Sequence, residues 1–268
     1  MKNLKLLIIF FLIFITITPI LNSATIRVKT WGYSFGMNIG ASVLNADISN
    51  IEALNTCCTK YSTSSDFGAD INFSFKYFLT QMSEFELIFS QNTNSVDIIE
   101  NEDWYINLNG NPTNGNISYN FNTILKSYSL GLNYKFNLTK YFHFKTGLNY
   151  NILTEQTFTS NEKLEKPDNR GVFLNNRRIR NENSGQLDFI KSNFIDLYFG
   201  LGVNIYFNYK KTYGLNLNLG YHFGLNNLMK DNSQYLNISK FRIGISYFYD
   251  FSKLISDNPV VPAKENAY

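Results

Sequence analysis

The sequence has few of the residues that cross-link or stiffen small extracellular proteins. It contains 2 cysteines and 5 prolines in 268 residues. Two cysteines cannot build the set of disulfides on which a cysteine-rich scaffold depends, and five prolines exclude a proline-rich array. The chain therefore belongs to neither of these classes.

Charged residues and long apolar runs are also scarce. Charged residues make up 17% of the chain, against about 25% in a typical globular domain. Only one long apolar run is present, at the N-terminus, whereas a polytopic helical membrane protein has several runs of about 20 residues. What the chain has instead is aromatic, with 24 Phe and 18 Tyr, and this content argues against intrinsic disorder.

The single apolar run has the features of a signal peptide. Lys2 and Lys5 precede an unbroken stretch of Leu, Ile and Phe, and Pro19 ends the run before small and polar residues. We therefore expect residues 1–24 to be a signal peptide cleaved after Ala24; an uncleaved membrane anchor is the alternative. Cleavage would leave 22 basic and 21 acidic residues, so charge gives no reason to expect nucleic-acid binding.

From Trp31 onward, polar and apolar residues alternate with a period of two, which is typical of β-strands that have two different faces. Most of the alternating segments have about 9–13 residues, close to what a tilted membrane-spanning strand needs, whereas strands of soluble proteins usually have 5–6. The pattern predicts eight strands: Tyr33–Val43, Phe67–Tyr77, Glu84–Ser90, Ile124–Phe136, Phe142–Ile152, Ile195–Phe207, Tyr213–Leu225 and Phe241–Phe251.

The connections between these segments alternate between long and short: 45–65, 79–83, 91–123, 137–140, 154–192, 208–211 and 226–239. Up-and-down barrels of outer membranes have this arrangement, with tight periplasmic turns and long external loops. The predicted fold is therefore all-β, an eight-stranded antiparallel up-and-down transmembrane β-barrel. We expect the barrel domain to span residues 25–251 and a short periplasmic tail to follow at 252–268.

The chemistry of the two faces indicates which one points inward. One face is almost purely Phe, Tyr, Leu, Ile and Val, and the other consists of Gly, Ser and Asn with some charged residues. A soluble barrel would turn its polar face to water and carry Lys and Glu there, whereas small residues suit a narrow interior. We therefore expect the apolar face to contact lipid and the polar face to line the lumen.

The charged residues of the polar face balance, with five acidic and five basic side chains. Because buried charges need partners, we expect a neutral ion-pair network that fills the lumen rather than a charged conduction path. With the two histidines of the polar face, the predicted network comprises Asp70, Lys76, Glu84, Glu86, Lys135, His143, Lys145, Asp196, His222, Lys240, Arg242 and Asp250.

Aromatic residues end the apolar face, mostly near the short turns or the chain ends. This position predicts the lower aromatic girdle of a membrane barrel. Lys126 places a charge on the apolar face, and we expect its long side chain to reach the outer interface. The predicted girdle comprises Tyr33, Tyr77, Tyr134, Phe136, Phe142, Phe207, Tyr213, Tyr249 and Phe251.

With these patterns, the chain resembles the bacterial outer-membrane β-barrel domain proteins, in particular the small eight-stranded OmpA-like and OmpX-like barrels. The resemblance covers about Tyr33–Phe251 and rests on pattern, not on a catalytic motif. Tyr249 and Phe251 look like the aromatic end of the final strand that the barrel-assembly machinery recognises. In that family this strand often ends the chain, whereas here further residues follow. The resemblance implies a location in the outer membrane.

Few residues suggest chemistry. His143 and His222, with Glu84 or Glu86 and an inward serine, are candidates for a hydrolytic set. Catalytic groups that act on lipid must reach lipid, however, and these histidines are predicted to point inward. We therefore interpret them as hydrogen-bonding groups of the lumen.

The adjacent Cys57 and Cys58 lie in the first long connection. Adjacent cysteines rarely pair with each other, and no His or further Cys completes a zinc set. We interpret the pair as a local redox feature without a function. The sequence has no glycine-rich phosphate loop and no metal-binding repeat, so we expect no cofactor.

The leading hypothesis for function is non-enzymatic. It is a closed barrel in the outer membrane with a structural or surface-interaction role, which displays its second and third long loops to an extracellular ligand. A narrow porin-like channel for small solutes is the alternative, although eight strands leave no room for a wide pore. A lipid-modifying outer-membrane enzyme is the third hypothesis.

Overall fold

A computed structural model describes residues 27–49, 60–61, 64–108, 111–167, 171–173, 177–231 and 234–254. The predicted signal peptide, the Cys57–Cys58 pair and most of the predicted tail lie outside these residues. The part that is described has no helix with the length and apolar character needed to cross a membrane. Its strands are β1 (Arg27–Ser49), β2 (Lys60–Tyr61), β3 (Ser64–Phe78), β4 (Ser83–Leu108), β5 (Asn111–Asn137), β6 (Phe142–Lys166), β7 (Ile179–Gln186), β8 (Asn193–Tyr206), β9 (Tyr213–Gly224) and β10 (Tyr235–Leu254).

Eight of the strands form a closed antiparallel ring. They follow chain order, β1–β3–β4–β5–β6–β8–β9–β10, and β10 pairs back onto β1. The short strands β2 and β7 are additions, paired with β1 and β6. The prediction of eight antiparallel up-and-down strands is thereby confirmed. Because Leu254 of β10 still pairs with Arg27, residues 252–254 belong to the ring and not to the predicted tail.

The strands are staggered round the ring. Cross-strand partners can be followed from strand to strand, from Trp31 on β1 round the ring to Phe241 on β10. The neighbour of Phe241, Lys240, pairs with Ser42 on β1. One circuit therefore climbs about ten residues along β1, a stagger that tilts the strands by roughly 40°. The pairs on this path are Trp31–Tyr77, Tyr77–Phe85, Phe85–Tyr134, Tyr134–Thr146, Thr146–Phe199, Phe199–Tyr221 and Tyr221–Phe241.

The connections differ from the prediction at one end of the ring. Short connections lie at 79–82, 138–141 and 207–212, as expected. The prediction of a long loop at 91–123 is wrong, because β4 and β5 run on as one hairpin of 26 and 27 residues. Much of 154–192 is also strand, in β6 and β7.

The interior of the ring changes from polar to apolar at one level, which we call the switch level. Toward the short connections the inward side chains are mostly polar or charged, and toward the long connections they are mostly apolar. Along β5 the change occurs between Ser127 and Leu125, both 1% exposed. Six strands change in the same way, from Ser42 to Leu44, Asn94 to Val96, Ser127 to Leu125, Asn151 to Leu153, Asp196 to Phe194 and Lys240 to Ile238.

A continuous apolar core, the cap core, fills the ring above the switch level. Side chains of β1, β4, β5, β6, β8 and β10 contribute to it. The connections that follow β7 and β9 join it through Ile190 and Met229, which form an isolated bridge. These two connections also hydrogen-bond through the backbone, from Lys191 N to the carbonyl of Leu228 at 2.7 Å. Apolar side chains therefore occupy the interior at this end.

β4, β5, β6 and β7 continue beyond the ring as a projecting sheet. β3 stays paired with β4 only as far as Asn94, whereas β4 and β5 remain paired up to Leu108 and Asn111. On the inner face of this sheet the Tyr119 hydroxyl donates to the Glu102 carboxylate at 3.2 Å. Burial and the nearby carboxylate raise the pKa of Tyr119, so the hydroxyl keeps the proton that it donates.

The cap core gives a first testable prediction. Phe194 is 2% exposed within the core, whereas Phe199, on the outer face of the same strand, is 40% exposed. We expect Phe194→Ala to lower the free energy of unfolding by about 3–5 kcal/mol, because it opens a cavity in a packed core. Phe199→Ala should cost clearly less. Equilibrium urea unfolding of the refolded variants measures both, and equal losses would contradict the placement of the core.

Candidate functional site

The candidate site is the charged interior below the switch level. All twelve predicted lumen residues lie at inward-pointing positions of the ring. Eleven of them are at most 9% exposed, and the side chain of His222 is 16% exposed. Contacts between strands bring most of them together in ion pairs, which form groups at different heights of the ring.

Arg242 on β10 makes the uppermost group, just below the cap core. Its Nε lies 2.9 Å from Asp70 Oδ2. Its two Nη groups donate to the Ala41 carbonyl at 2.8 Å, to Ser42 Oγ at 3.1 Å and to Asn94 Oδ1 at 2.7 Å. The guanidinium is therefore fully engaged by groups from β1, β3 and β4, and it links three strands with one side chain.

A glycine on β3 makes room for this guanidinium. A Cβ added at Gly68 would collide with Arg242 Nη2 and with Ser42 Oγ. Any larger residue at this position would therefore displace the arginine from its partners. This contact gives a physical reason for the small residues that the sequence places on the polar face.

Asp196 on β8 is the centre of a second group at the same height. Lys240 Nζ lies 3.3 Å from its Oδ2, and His222 Nδ1 lies 2.9 Å from its Oδ1. The side-chain amides of Asn149 and Asn151 donate to the two carboxylate oxygens at 2.6 and 2.8 Å. Four partners from three neighbouring strands thus compensate one buried carboxylate.

The third group lies toward the short connections. Glu86 pairs with Lys145 at 2.9 Å, and Glu84 pairs with Lys135 at 2.7 Å. Both pairs join β4 to inward positions of β5 or β6. Lower still, the Asp250 carboxylate lies 2.7 Å from Lys29 Nζ and 3.6 Å from Lys76 Nζ.

Sequence reasoning missed Lys29 and three inward aromatic residues near the short connections. Lys29 precedes the first alternating segment, yet its Nζ lies 2.7 Å from Asp250 Oδ2. Phe78, Tyr206 and Phe248 point inward with it, and Phe248 contacts Tyr206 edge-on at 5.6 Å. The one sequence signal was three consecutive aromatic residues at 247–249, a run that cannot fit a strict alternation.

The two histidines have separate partners inside the ring. His143 Nε2 lies 3.3 Å from Asn216 Nδ2 and 3.4 Å from Asn218 Oδ1, whereas His222 contacts Asp196. Both histidines therefore take part in hydrogen bonding within the interior. Among the described residues, no three metal-ligating side chains converge on one point.

Little free space is left in the centre of the ring. A cavity of about 70 Å³, bordered by Tyr198, His222 and Arg242, separates the upper groups, and it has room for a few water molecules. A second cavity of about 360 Å³ opens at the end with the short connections. The polar interior is thus filled in the middle and open at one end.

On the outer face, aromatic side chains cluster near the short connections. Trp31 stacks on Phe251 with ring centroids 3.7 Å apart, and Tyr249 lies between Tyr33 and Tyr213 at 5.9 and 6.4 Å. Eight of the nine predicted girdle residues are exposed or partly exposed there.

Two outward residues differ from a simple exposed girdle. Tyr134 is only 5% exposed, because Phe85 packs against it at 5.6 Å. At the other edge of the outer face, Lys126 forms an ion pair of 2.7 Å with Glu155, and both side chains are 41% exposed. The lysine therefore has a partner as well as access to solvent.

No family model matches the chain, and no curated protein matches it. Similar solved structures include Ail, the attachment invasion locus protein of Yersinia pestis, with 11% identity over 83% of this chain and 100% of Ail and a TM-score of 0.34. Neisserial surface protein A has 11% identity over 82% of this chain and 97% of its own chain, with a TM-score of 0.34. The outer membrane protease OmpT of Escherichia coli has 7% identity over 85% of this chain and 99% of its own chain, with a TM-score of 0.38. All three TM-scores lie below 0.5.

The Arg242 group gives a second testable prediction. Arg242→Met should lower the free energy of unfolding by about 3–5 kcal/mol, because it leaves the buried Asp70 carboxylate without its cation. Adding Asp70→Asn in the same chain should recover part of this loss, since the neutral amide needs no cation. Urea unfolding measures each variant.

The exposed pair on the outer face is the matched control. Lys126→Met removes a cation from a pair that is open to solvent, so it should cost less than about 1 kcal/mol. Similar losses of unfolding free energy for Arg242→Met and Lys126→Met would contradict the prediction that the buried Arg242–Asp70 pair contributes more to stability than the exposed pair.

Proposed function

We propose that the ring is an eight-stranded transmembrane β-barrel of a bacterial outer membrane, with a structural or surface-interaction role. The observation that carries the proposal is the reversal of polarity along single strands. Below the switch level the strands are apolar outside and polar inside. Above it they are polar outside and apolar inside, as in a protein that is surrounded by water.

The outer face below the switch level is an apolar belt. All eight ring strands contribute exposed apolar side chains to it, among them Phe35, Leu132, Leu201 and Ile243, each more than half exposed. Soluble monomers rarely expose a contiguous apolar patch larger than a few hundred Å², whereas this belt surrounds the whole ring. Lipid is the surrounding that makes such a belt stable.

The height of the belt fits a membrane. On β5 it covers the nine residues from Tyr128 to Phe136. Nine residues at about 3.3 Å each, tilted by roughly 40°, give a height close to 23 Å. Apolar bands of outer-membrane barrels are about 25 Å tall. The aromatic cluster at Trp31 and Phe251 marks its lower edge, and the Lys126–Glu155 pair marks its upper edge.

Closure of the ring supports the same proposal. In hydrocarbon an unpaired backbone group costs several kcal/mol, so a sheet can cross a membrane only when it has no free edge. The pairing of β10 with β1 removes that edge. With the predicted signal peptide, the usual orientation of such barrels places the short connections in the periplasm and the projecting sheet outside the cell.

A structural or interaction role fits the filled interior better than conduction does. The cap core occupies one end of the ring and the ion pairs occupy the middle. A solute would have to displace both, so we rank a channel second. The lipid-modifying enzyme ranks third, because His143 and His222 point into the ring and away from the belt.

The proposed partners follow from this placement. They are outer-membrane lipid along the belt, the barrel-assembly machinery at β10, and an extracellular ligand on the projecting sheet. That sheet carries exposed polar residues on its outer face, among them Asn122 and Thr159, as a water-facing surface requires.

Arginine substitutions on one strand test the location of the membrane. Leu132 and Asn122 both lie on the outer face of β5, on opposite sides of the switch level. In folding measurements into phospholipid vesicles, Leu132→Arg should cost about 2–4 kcal/mol, because it places a cation near the bilayer midplane. Asn122→Arg should change stability by no more than about 0.5 kcal/mol. Equal effects, or recovery of the native chain wholly in the soluble periplasmic fraction, would refute the membrane assignment.

Planar-bilayer recordings test the closed interior. The refolded protein should show no reproducible single-channel steps, because side chains fill the ring at two levels. Steps whose size changes in Arg242→Ala or Glu86→Ala would overturn this expectation and favour the channel hypothesis. The same recordings on Lys126→Ala, which alters the outer face only, provide the control.

A further inference from the structure

We propose that the open cavity at the short-connection end of the ring is a binding site for a small molecule with two or more phosphate or carboxylate groups. We call this cavity the basal basin. It is separate from the surfaces proposed above for lipid and for an extracellular ligand. The inference depends on the geometry of the ring and not on the membrane that surrounds it.

The basal basin has the size and shape of a ligand site. Its volume is about 360 Å³, within the range of pockets that hold small molecules. Phe78, Tyr206 and Phe248 form part of its lining, and the connections at 79–82, 138–141 and 207–212 border its mouth. An apolar wall of this kind limits access of water and strengthens the electrostatic attraction of groups beside it.

Charge distinguishes the basin from the rest of the interior. Six lysines and two carboxylates line it, whereas the groups higher in the ring pair acids and bases closely. Three of the lysines, Lys140, Lys210 and Lys211, lie exposed on the connections at the mouth. A cavity lined mainly by one sign of charge concentrates ions of the opposite sign, so the basin favours anions.

The deep lysines add buried positive charge. Lys29 lies 2.7 Å and Lys76 lies 3.6 Å from the same carboxylate, that of Asp250, so two cations share one anion. The contact of Lys76 is longer than a hydrogen bond. Its ammonium therefore neutralises part of the Asp250 charge without directing a hydrogen bond to it, and an ammonium has three donors.

Aromatic rings hold these ammonium groups at the wall of the basin. Lys76 Nζ lies 4.6 Å from the ring centre of Phe248, and Lys29 Nζ lies 5.4 and 5.2 Å from those of Phe78 and Tyr206. Such cation–π contacts stabilise a buried lysine without supplying a counter-anion. A bound phosphate or carboxylate would provide that missing anion, and lysine at the mouth would engage a second anionic group.

Calorimetric titration of the full-length, refolded protein tests the site. Pyrophosphate is the phosphate probe and citrate is the carboxylate probe. We expect saturable one-to-one binding of at least one probe, weakened by added salt because the attraction is between charges. Stronger binding of pyrophosphate would identify a phosphate ligand, and stronger binding of citrate a carboxylate ligand.

Matched triple variants locate the binding. Lys140→Gln, Lys210→Gln and Lys211→Gln together should weaken binding at least about tenfold, equivalent to 1.4 kcal/mol or more. The control changes three exposed lysines at the opposite end, Lys163→Gln, Lys166→Gln and Lys230→Gln, and should leave the affinity unchanged. Both sets alter exposed positions and net charge equally, so folding is not the variable.

The outcomes separate clearly. Absence of saturable binding of either probe would overturn the proposal, and so would an equal loss in the two triple variants. A vesicle-folding experiment in which Leu132→Arg proves harmless would refute the membrane proposal and leave this one standing. Loss of binding in the basal triple variant alone would support the basin as the site.

Discussion

A charge that points into this ring has to be compensated by another inward group, because the middle of the ring has almost no room for solvent. That requirement explains most of the interior. Asp196 receives four partners, Arg242 reaches three strands, and Gly68 leaves out a side chain so that the guanidinium fits. The ion pairs of the interior join strands that are adjacent or two places apart in the ring, so they hold neighbouring strands together.

The same strands change the polarity of their two faces along their length. Alternation along β5 continues without interruption from Asn137 to the projecting sheet, but the face that is apolar changes at Ser127 and Leu125. One continuous strand thus has a polar inner face at one end and an apolar inner face at the other. The two arrangements stabilise each other, because the cap core covers the buried charges of the Arg242 and Asp196 groups from above.

The sequence predicted the part of the fold in which local pattern and global structure agree. Eight alternating segments became eight ring strands, and the twelve charged and histidine residues took inward positions. The prediction is wrong where the period of two continues but the apolar residues move from the outer to the inner face. The pattern places Val96 and Phe121 in a loop, because their outward neighbours are polar and do not fit a lipid-facing strand. Lys29 could not be predicted because its inward position depends on a tertiary contact with Asp250, which has no local signature. Phe248 left only the aromatic run at 247–249, which shows a break in the alternation but not the contact with Tyr206. The burial of Tyr134 is likewise a consequence of its neighbour Phe85.

If the ring spans a bilayer as proposed, the position of the switch level has a consequence for the bilayer itself. Two residues along a tilted strand correspond to roughly 5 Å of height, so a change of polarity at six positions sets the thickness of hydrocarbon that the ring matches. A belt of about 23 Å is shorter than the average bilayer core of about 30 Å, and mismatch of this kind thins the surrounding lipid or favours a thinner membrane. In the proposed placement, the six pairs from Ser42–Leu44 to Lys240–Ile238 fix the upper edge of the belt, and with it the bilayer thickness that the ring matches.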